Sequence, residues 1–374
     1  MLRSKKANKS TKSYYFNHSN KANWSDTSYN SLAKYGYIEN VVANRCVNMV
    51  SKGASVIPLL VYKDYEEIPR SSLARLLDMP NPFMSREDFI EGIIHNVLIA
   101  GNAYISYVKN SNGEFAEMYL LRPDRVSIVT DNNGFPMQYI YKCGAASRVY
   151  DVNLLDGTSE ILHIKNFHPS DDLYGLSPMA TARFSIDQHN EAISWNKALL
   201  QNGARPSGAL VVESSASQEL TDEQFNRLRD QLANDFSGSK MAGKIMLLEG
   251  GLKWQEMSIS PRDMDFIETK NSAARDIAMA FGVPANLLGI QGDNTYSNFS
   301  EARMALWEET ILPMICKICT KLSTWISGQT GDFIQIKPDY DSISVLIEKR
   351  NQIWDYVNNS DFLTREEKRK LIGF

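Results

Sequence analysis

The run Ala280-Phe-Gly-Val-Pro284-Ala-Asn-Leu-Leu-Gly289-Ile-Gln-Gly-Asp-Asn-Thr-Tyr296-Ser297 decides the architecture, because it writes helix end, break, polar loop and helix start in sequence. Upstream, Ser260 and Pro261 form an N-cap followed by the residue best suited to the first helical position, with Asp263 in capping-box register. Phe266, Ile267, Ala274, Ile277, Ala278 and Phe281 then recur at helical spacing. Gly282 is a C-cap candidate and Pro284 prevents the helix from resuming. After the polar stretch Ile290–Tyr296, Ser297 can cap a second helix with the stripe Met304, Trp307, Ile311, Ile315, Ile318, Leu322 and Trp325. Pro313 lies inside that stripe and costs on the order of 3 kcal/mol mid-helix, so a kink or restart is expected there. Two long helices joined by a polar loop imply a loop held out at another object.

Working outward, the 374 residues allow roughly two or three domains and a sizeable core. Apolar residues make up 43% and charged residues 22%, as in soluble globular proteins. No run approaches the ~20 apolar residues of a membrane span, and the N-terminus lacks the apolar centre of a signal peptide. Four cysteines without an extracellular signature point to reduced thiols in a cytosolic compartment. The net charge of −4 is unevenly placed: Arg3, Lys5, Lys6, Lys9, Lys12 and Lys21 face no acid in residues 1–25, leaving 34 basic against 44 acidic residues elsewhere. So acidic a body is unsuited to tight, salt-dependent nucleic-acid binding, which needs clustered Lys and Arg. The basic, Ser- and Asn-rich residues 1–30 read as a disordered tail.

Taken in order, an amphipathic helix is expected from Ser31 with Ile38, Val41, Val42, Val47 and Val50, breaking at Gly53 into a strand over 54–62. Asp78-Met-Pro80-Asn-Pro82 is a turn, and Ser85 with Asp88 caps a helix carrying Phe89, Ile93, Val97 and Leu98. Hairpin turns at Asn110–Gly113 and Asp131–Gly134, with strands over 103–108, 118–121, 125–130 and 161–165, predict a mixed α/β unit with an antiparallel sheet. Ser177-Pro178 opens a long helix whose stripe, Met179, Ile186, Ile193 and Leu200, repeats every seven residues and suits packing against other helices, including those of other subunits. Residues 208–259 form a small α/β insert: strands 209–213, 244–249 and 252–257 around a helix 220–236. A strand 333–337, a helix 343–357 and a short helix capped at Thr364 complete an α+β chain.

Chemistry-bearing motifs weigh in favour of structure. Gly238-Ser-Lys-Met-Ala-Gly243-Lys244 has P-loop spacing, but the expected order is helix then strand, and Ile245 stands where Ser or Thr would ligate magnesium. It reads as a surface turn. His163, His168, Asp171 and Asp172 fall within ten residues, yet His163 reads as the solvated face of a strand and the aspartates as a turn. Cys316 and Cys319 sit on an apolar helix face, where free Cys behaves as a small hydrophobe, and His189 lies beside a helix core stripe. No G-x-S-x-G occurs. No catalytic residue, metal site or cofactor is assigned.

Several stretches together resemble the HK97-type portal proteins of tailed bacteriophages: Leu77–Pro82, Ala100-Gly-Asn-Ala-Tyr104, Leu120-Leu-Arg-Pro-Asp-Arg125, Tyr174-Gly-Leu-Ser-Pro178, Asn202–Gly208, Leu248–Trp254, Ala280–Pro284 and Tyr296-Ser-Asn298. They stand in the family's order over about residues 30–327 and, more weakly, at Leu363–Glu367. The resemblance implies a homo-oligomeric ring, usually dodecameric, at one capsid vertex of the virion, assembled in the bacterial host cytoplasm. Double-stranded DNA is packaged and ejected through its channel. The implied partners are the terminase large subunit, the major capsid protein and a head–tail connector, with DNA passing without sequence recognition and no membrane. Implied regions are a wing at 31–176, a first stem helix at 177–205, a clip at 206–259, a second stem helix at 260–289, a tunnel loop at 290–299, and a channel-crossing helix with a short crown at 300–374. Gln291, Gly292, Asp293, Asn294 and Thr295 would then line the DNA channel, and Arg227, Lys240 and Lys244 would face terminase or connector. The competing readings are a nucleotide-driven DNA-processing enzyme using Gly238–Lys244 and a DNA-binding adaptor using the basic tail.

Overall fold

Asn40 sets the first long helix. A short helix Tyr29–Ser31 runs into a π-helix Leu32–Ile38, and the chain then breaks at Glu39 and Asn40. Fully buried Asn40 caps helix α1 (Val41–Ser55): its Oδ1 accepts from Val42 N and Ala43 N at 3.1 and 3.0 Å, and its Nδ2 donates to Asn190 Oδ1 at 2.9 Å. The helix does not break at Gly53, as the sequence reading expected. A Cβ there would lie 2.6 Å from Ile311 Cδ1, so glycine serves close packing of this helix against a distant segment. The strand that follows accordingly starts at Leu59 rather than Ala54. Ile38 and Val41, expected on the buried stripe, are 74% and 68% exposed, because the break at Asn40 turns them away from the core.

The computed structural model describes residues 24–201, 208–212, 223, 252–256, 266–290, 296–360 and 363–371. Strands β1 (Leu59–Lys63) and β2 (Glu66–Glu67) precede α2 (Ser72–Asp78) and α3 (Arg86–Ala100). Ser85 and Asp88 form the expected capping box at the start of α3. Then come β3 (Asn102–Lys109), β4 (Phe115–Leu121), β5 (Val126–Thr130), β6 (Pro136–Cys143), β7 (Ala146–Asp151) and β8 (Ile161–Lys165). Gly113 and Gly134 take φ of 83° and 87° in the two predicted hairpin turns. These strands form antiparallel sheets in the orders β4-β3-β8 and β5-β6-β7. The sequence reading did not identify β6, β7 or α2.

A turn of helix Pro178–Thr181, capped by Ser177, leads through Ala182 into α4 (Arg183–Gln201). Of its heptad stripe, Met179 and Ile186 are buried, whereas Ile193 is 37% exposed. Strands β9 (Gly208–Val212) and β10 (Leu252–Glu256) pair antiparallel, so the insert opens and closes side by side; apart from Glu223, its expected helix 220–236 and strand 244–249 lie outside the described residues. Helix α5 (Phe266–Ala280) is followed by a 3-10 turn Ala285–Leu288, α6 (Tyr296–Ala305), a π-helix Leu306–Ile311 and α7 (Leu312–Thr330). Pro313 falls in the first α-turn of α7, directly after the π-segment, whose wider ladder accommodates the missing N–H. There Leu312 N bonds back to Trp307 O. Last come β11 (Ile334–Pro338), α8 (Ser344–Asn358) and α9 (Arg365–Leu371), the last behind the Thr364–Glu367 capping box.

β11 pairs with β1 from Leu59↔Pro338 to Lys63↔Ile334, closing the chain's late segment onto its early one. Val47 and Val50 of α1, Phe89, Ile93 and Val97 of α3, and Ile315, Ile318 and Leu322 of α7 belong to one core. A smaller core under sheet β5-β6-β7 holds Tyr104, Leu121, Val126, Tyr139, Tyr150 and Ile161.

Candidate functional site

Both helical arms read first from the sequence are present, but Ser297, expected as the cap of the second, lies inside its first turn, and the expected start of the first at Ser260–Asp263 lies outside the described residues. Ala274, Ile277, Ala278 and Phe281 bury one face of α5, while Ile267, expected among them, is 78% exposed. Gly282 closes the helix at φ 65°, as its position predicted. Its carbonyl accepts from Thr310 Oγ1 at 2.7 Å, and a Cβ on it would sit 2.5 Å from that same oxygen. The chain therefore crosses the π-segment closely before Pro284 and the 3-10 turn lead to Gly289, at φ 73°. Asn286 Nδ2 donates to Asn298 O at 3.2 Å, tying the arm before the loop to the arm after it. The loop Gln291, Gly292, Asp293, Asn294 and Thr295 lies outside the described residues, as do Arg227, Lys240, Lys244 and the Gly238–Lys244 turn. Beyond the loop, α6 and the π-segment carry Glu301, Glu308 and Glu309 against Arg303.

A second constellation joins the sheet to the start of α4. Gly101, at φ 76°, and Gly175 approach so closely that a Cβ on either would lie 2.2 Å from the other's carbonyl oxygen. Asn102, 6% exposed, fastens the crossing: its Oδ1 accepts from Gly175 N at 2.7 Å and from His163 Nε2 at 3.0 Å, and its Nδ2 donates to Ala100 O at 2.9 Å. Asn166 N donates to Gly101 O, and Lys317 Nζ of α7 donates to Asn166 Oδ1 at 3.2 Å. Two of the stretches that carried the family resemblance, Ala100–Tyr104 and Tyr174–Pro178, thus meet at one joint.

His163 is a correction. It stacks on Tyr104 with ring centroids 4.4 Å apart rather than lying on a solvated face, because Asn102 draws it inward. Burial, with Lys165 and Lys321 nearby, pushes its pKa down to about 3, so it is a neutral donor at pH 7. His168 Nδ1 accepts from Ser170 N, Asp171 Oδ1 accepts from Leu173 N and Tyr174 N, and the Asp172 carbonyl accepts from the Lys165 ammonium. The backbone donors hold the Asp171 pKa below the usual carboxylate range. Each of these groups shapes the turn, Asp172 through its main-chain carbonyl, and among the described residues no group of His, Cys, Asp or Glu is arranged to hold a metal. Cys319 is buried, with its thiol pushed up to about 12, and Cys316 Sγ lies 3.0 Å from Tyr340 Oη. His189, 1% exposed, accepts from Asn40 Nδ2 as part of the core. No described helix is long and apolar enough to cross a membrane.

The sequence reading missed how the first described residues are held. Trp24 packs edge-on against Phe184 at 4.9 Å, and Ser25 gives its backbone N and its Oγ to the Asp187 carboxylate at 2.8 and 2.6 Å. Neither contact has a local sequence signal, since the partners are over 150 residues apart.

Residues 41–373 match the phage portal protein family. A protein of Rickettsia bellii (strain RML369-C) without a functional name is 48% identical over 90% of this chain and 87% of its own length. The portal protein of Enterobacteria phage HK97 is 24% identical over 75% of this chain and 66% of the phage protein. Among solved structures, a chain from the neck of a native gene transfer agent particle, computed with C12 symmetry, is 39% identical, with a TM-score of 0.72 over 94% of each chain; its counterpart in the empty particle, computed with C6 symmetry, gives 0.73.

Proposed function

This chain belongs to the phage portal protein family, and we propose its working parts from that premise. It is a portal protein of the HK97 type that assembles as a ring in the virion and forms the channel for double-stranded DNA packaging and ejection. The observation that carries this is the match over residues 41–373, together with likeness at 39% identity to a chain from the neck of a native gene transfer agent particle computed with C12 symmetry.

Within the ring, residues 31–176 act as the wing, 177–205 and 260–289 as the stem helices, 206–259 as the clip and 300–374 as the channel-crossing helix and crown. The loop 290–299 faces DNA. A conduit must let DNA move without gripping it, which disfavours clustered cations because each neutralised phosphate releases counterions and deepens binding. The acidic body, the excess of Glu301, Glu308 and Glu309 along the helical segment that leaves the loop, and the Asn286–Asn298 tie at its base support this reading. Gln291, Asn294 and Thr295 touch the DNA backbone as neutral polar tips, and Asp293 repels it. Arg227, Lys240 and Lys244 on the clip meet the terminase large subunit and the head–tail connector, and the wing meets the major capsid protein. Assembly takes place in the host cytoplasm. The family is structural, and we assign the chain no catalysis; the nucleotide-driven alternative is not favoured.

Electron microscopy of the purified full chain tests the ring. Closed rings with a central hole and twelve-fold averages are expected, and a uniform monomer at high protein concentration would overturn the assignment.

A further inference from the structure

Helix α1 and sheet β5-β6-β7 are the end layers of one stack. Helix α1 packs on α3, which is buried around most of its girth, and α3 packs on β3. Ala103, Ile105 and Leu162 line the α3 side of sheet β4-β3-β8 within the large core. Tyr104, Leu121 and Ile161 line its other side, in the small core under sheet β5-β6-β7. The layers therefore run helix, helix, sheet, sheet, and the outward faces of the two end layers lie on opposite sides of the molecule.

The outward face of α1 is a basic and aliphatic stripe. Val41, Arg45 and Lys52, with Val56 at the helix end, are exposed at helical spacing, opposite the buried Ala43, Val47, Val50 and Ala54. Ile38 stands exposed just ahead of them, beside Glu39. Helix α1 contains no acid, and among the described residues neither Arg45 nor Lys52 enters an ion pair. Exposed aliphatic side chains gathered along one helix face mark a contact surface.

The outward face of the sheet has the complementary pattern. Val126, Tyr139 and Tyr150 point into the small core, so alternation turns Ser127, Ile140 and Val149 outward in one cross-strand row and Val129, Gln138 and Asp151 in the next. Val129, Ile140 and Val149 belong to neither core, and Val149 is 49% exposed. Beyond Asp151 the adjoining loops add Asp131, Asp156 and the exposed Phe135 and Leu154, whereas Lys142 stands at the opposite end. Arg148 lies over the Tyr150 ring and pairs with Glu160 at 3.2 Å.

Dimensions and spacing agree as well. The 15 residues of α1 make a rod about 22 Å long and about 10 Å wide, and the 8 residues of β6 span about 26 Å in a three-stranded sheet about 10 Å across. Val41 precedes Arg45, and Lys52 precedes Val56, by about 6 Å of helix, close to the roughly 7 Å from Val149 to Asp151 along β7. Identical copies with complementary faces on opposite sides join head to tail, and such contacts close into a ring when the rotation permits.

We infer that α1 of one copy packs across the outward face of sheet β5-β6-β7 of the next. A valine of the stripe sits on Ile140 and Val149, its neighbouring cation meets Asp151, and the rest of the stripe runs toward Phe135 and Leu154. The inference rests on the ring reading and specifies which faces meet within the ring.

Sedimentation velocity of the full chain at one fixed protein concentration reads the ring yield. Arg45→Glu with Lys52→Glu should lower it at least about tenfold, because like charges across a contact oppose it. Asp151→Lys, which leaves only cations on the outward face of the strands, should do the same. All three substitutions in one chain restore opposite signs and should return the yield to within about threefold of wild type. The three side chains are exposed, so circular dichroism of each variant should match the wild type. Ring yield undiminished by either variant, or a loss that the triple variant does not repair, overturns the inference and leaves the ring assignment standing. A wild type that stays monomeric overturns both.

Discussion

The crossing of Gly101 and Gly175 allows backbone strain and steric clash to be separated. Gly113→Ala places a Cβ at φ 83° with nothing within 4 Å, so it carries the left-handed penalty alone, about 1–2 kcal/mol. Gly175→Ala has no positive φ, but its Cβ would lie 2.2 Å from Gly101 O and 2.7 Å from Asn166 N. Relieving that requires the two backbones to part by about 1 Å, which breaks the bond from Asn166 N to Gly101 O and weakens that from Gly175 N to Asn102 Oδ1. Leaving two buried polar groups unpaired costs about 1–3 kcal/mol each, so about 2–6 kcal/mol in all. Gly101→Ala suffers both effects, with a Cβ 2.2 Å from Gly175 O at φ 76°, and should lose about 3–8 kcal/mol. Against a typical stability of about 5–15 kcal/mol, that brings the fold near its threshold. Urea unfolding followed by tryptophan fluorescence, at one fixed protein concentration because assembly contributes to stability, reads the three midpoints. The expected order of loss is Gly101→Ala, then Gly175→Ala, then Gly113→Ala. If Gly175→Ala unfolds with Gly113→Ala or with the wild type, the close crossing is not what these glycines serve.

His163 gives the fold an acid sensitivity. Its folded pKa lies near 3, against 6.5 for an ordinary histidine, so the unfolded chain takes up a proton that the folded one refuses, and stability falls as pH drops below about 6.5. Between pH 7 and pH 5 the loss from this group should be about 1–2 kcal/mol, and His163→Gln, which keeps a donor toward Asn102 but cannot titrate, should flatten the pH profile of the unfolding midpoint over that window. At Gly53, alanine gains helix propensity and meets only the flexible tip of Ile311, so its stability should stay within about 1 kcal/mol of wild type. Gly53→Val overpacks the same contact and should cost about 2–3 kcal/mol by the same unfolding assay; a neutral valine would refute the close packing of α1 on the π-segment.

Local signals were read correctly where their physics is local. A cap needs a side-chain oxygen three residues from the amide it serves, so Ser85–Asp88, Ser177 and Thr364–Glu367 were visible as spacings. Positive φ at Gly113, Gly134 and Gly282 followed from turns and helix ends, and the stripe Ile311, Ile315, Ile318, Leu322, Trp325 followed from the helical period. The two arms of the candidate channel loop were legible for the same reason. What clamps them was not: Thr310 to Gly282 and Asn286 to Asn298 join residues that no periodicity relates.

Tertiary structure decided the rest, because burial and close approach depend on partners far along the chain. Gly53 looks like a helix stop until Ile311 is placed beside it. His163 looks solvated by alternation until Asn102 and Tyr104 enclose it. Ile38 and Val41 fit a buried helical stripe until Asn40 spends its side chain on α1 and α4 and turns them out. The pairing of β1 with β11 is written in neither strand alone, since an antiparallel ladder is specified by two segments that only folding brings together.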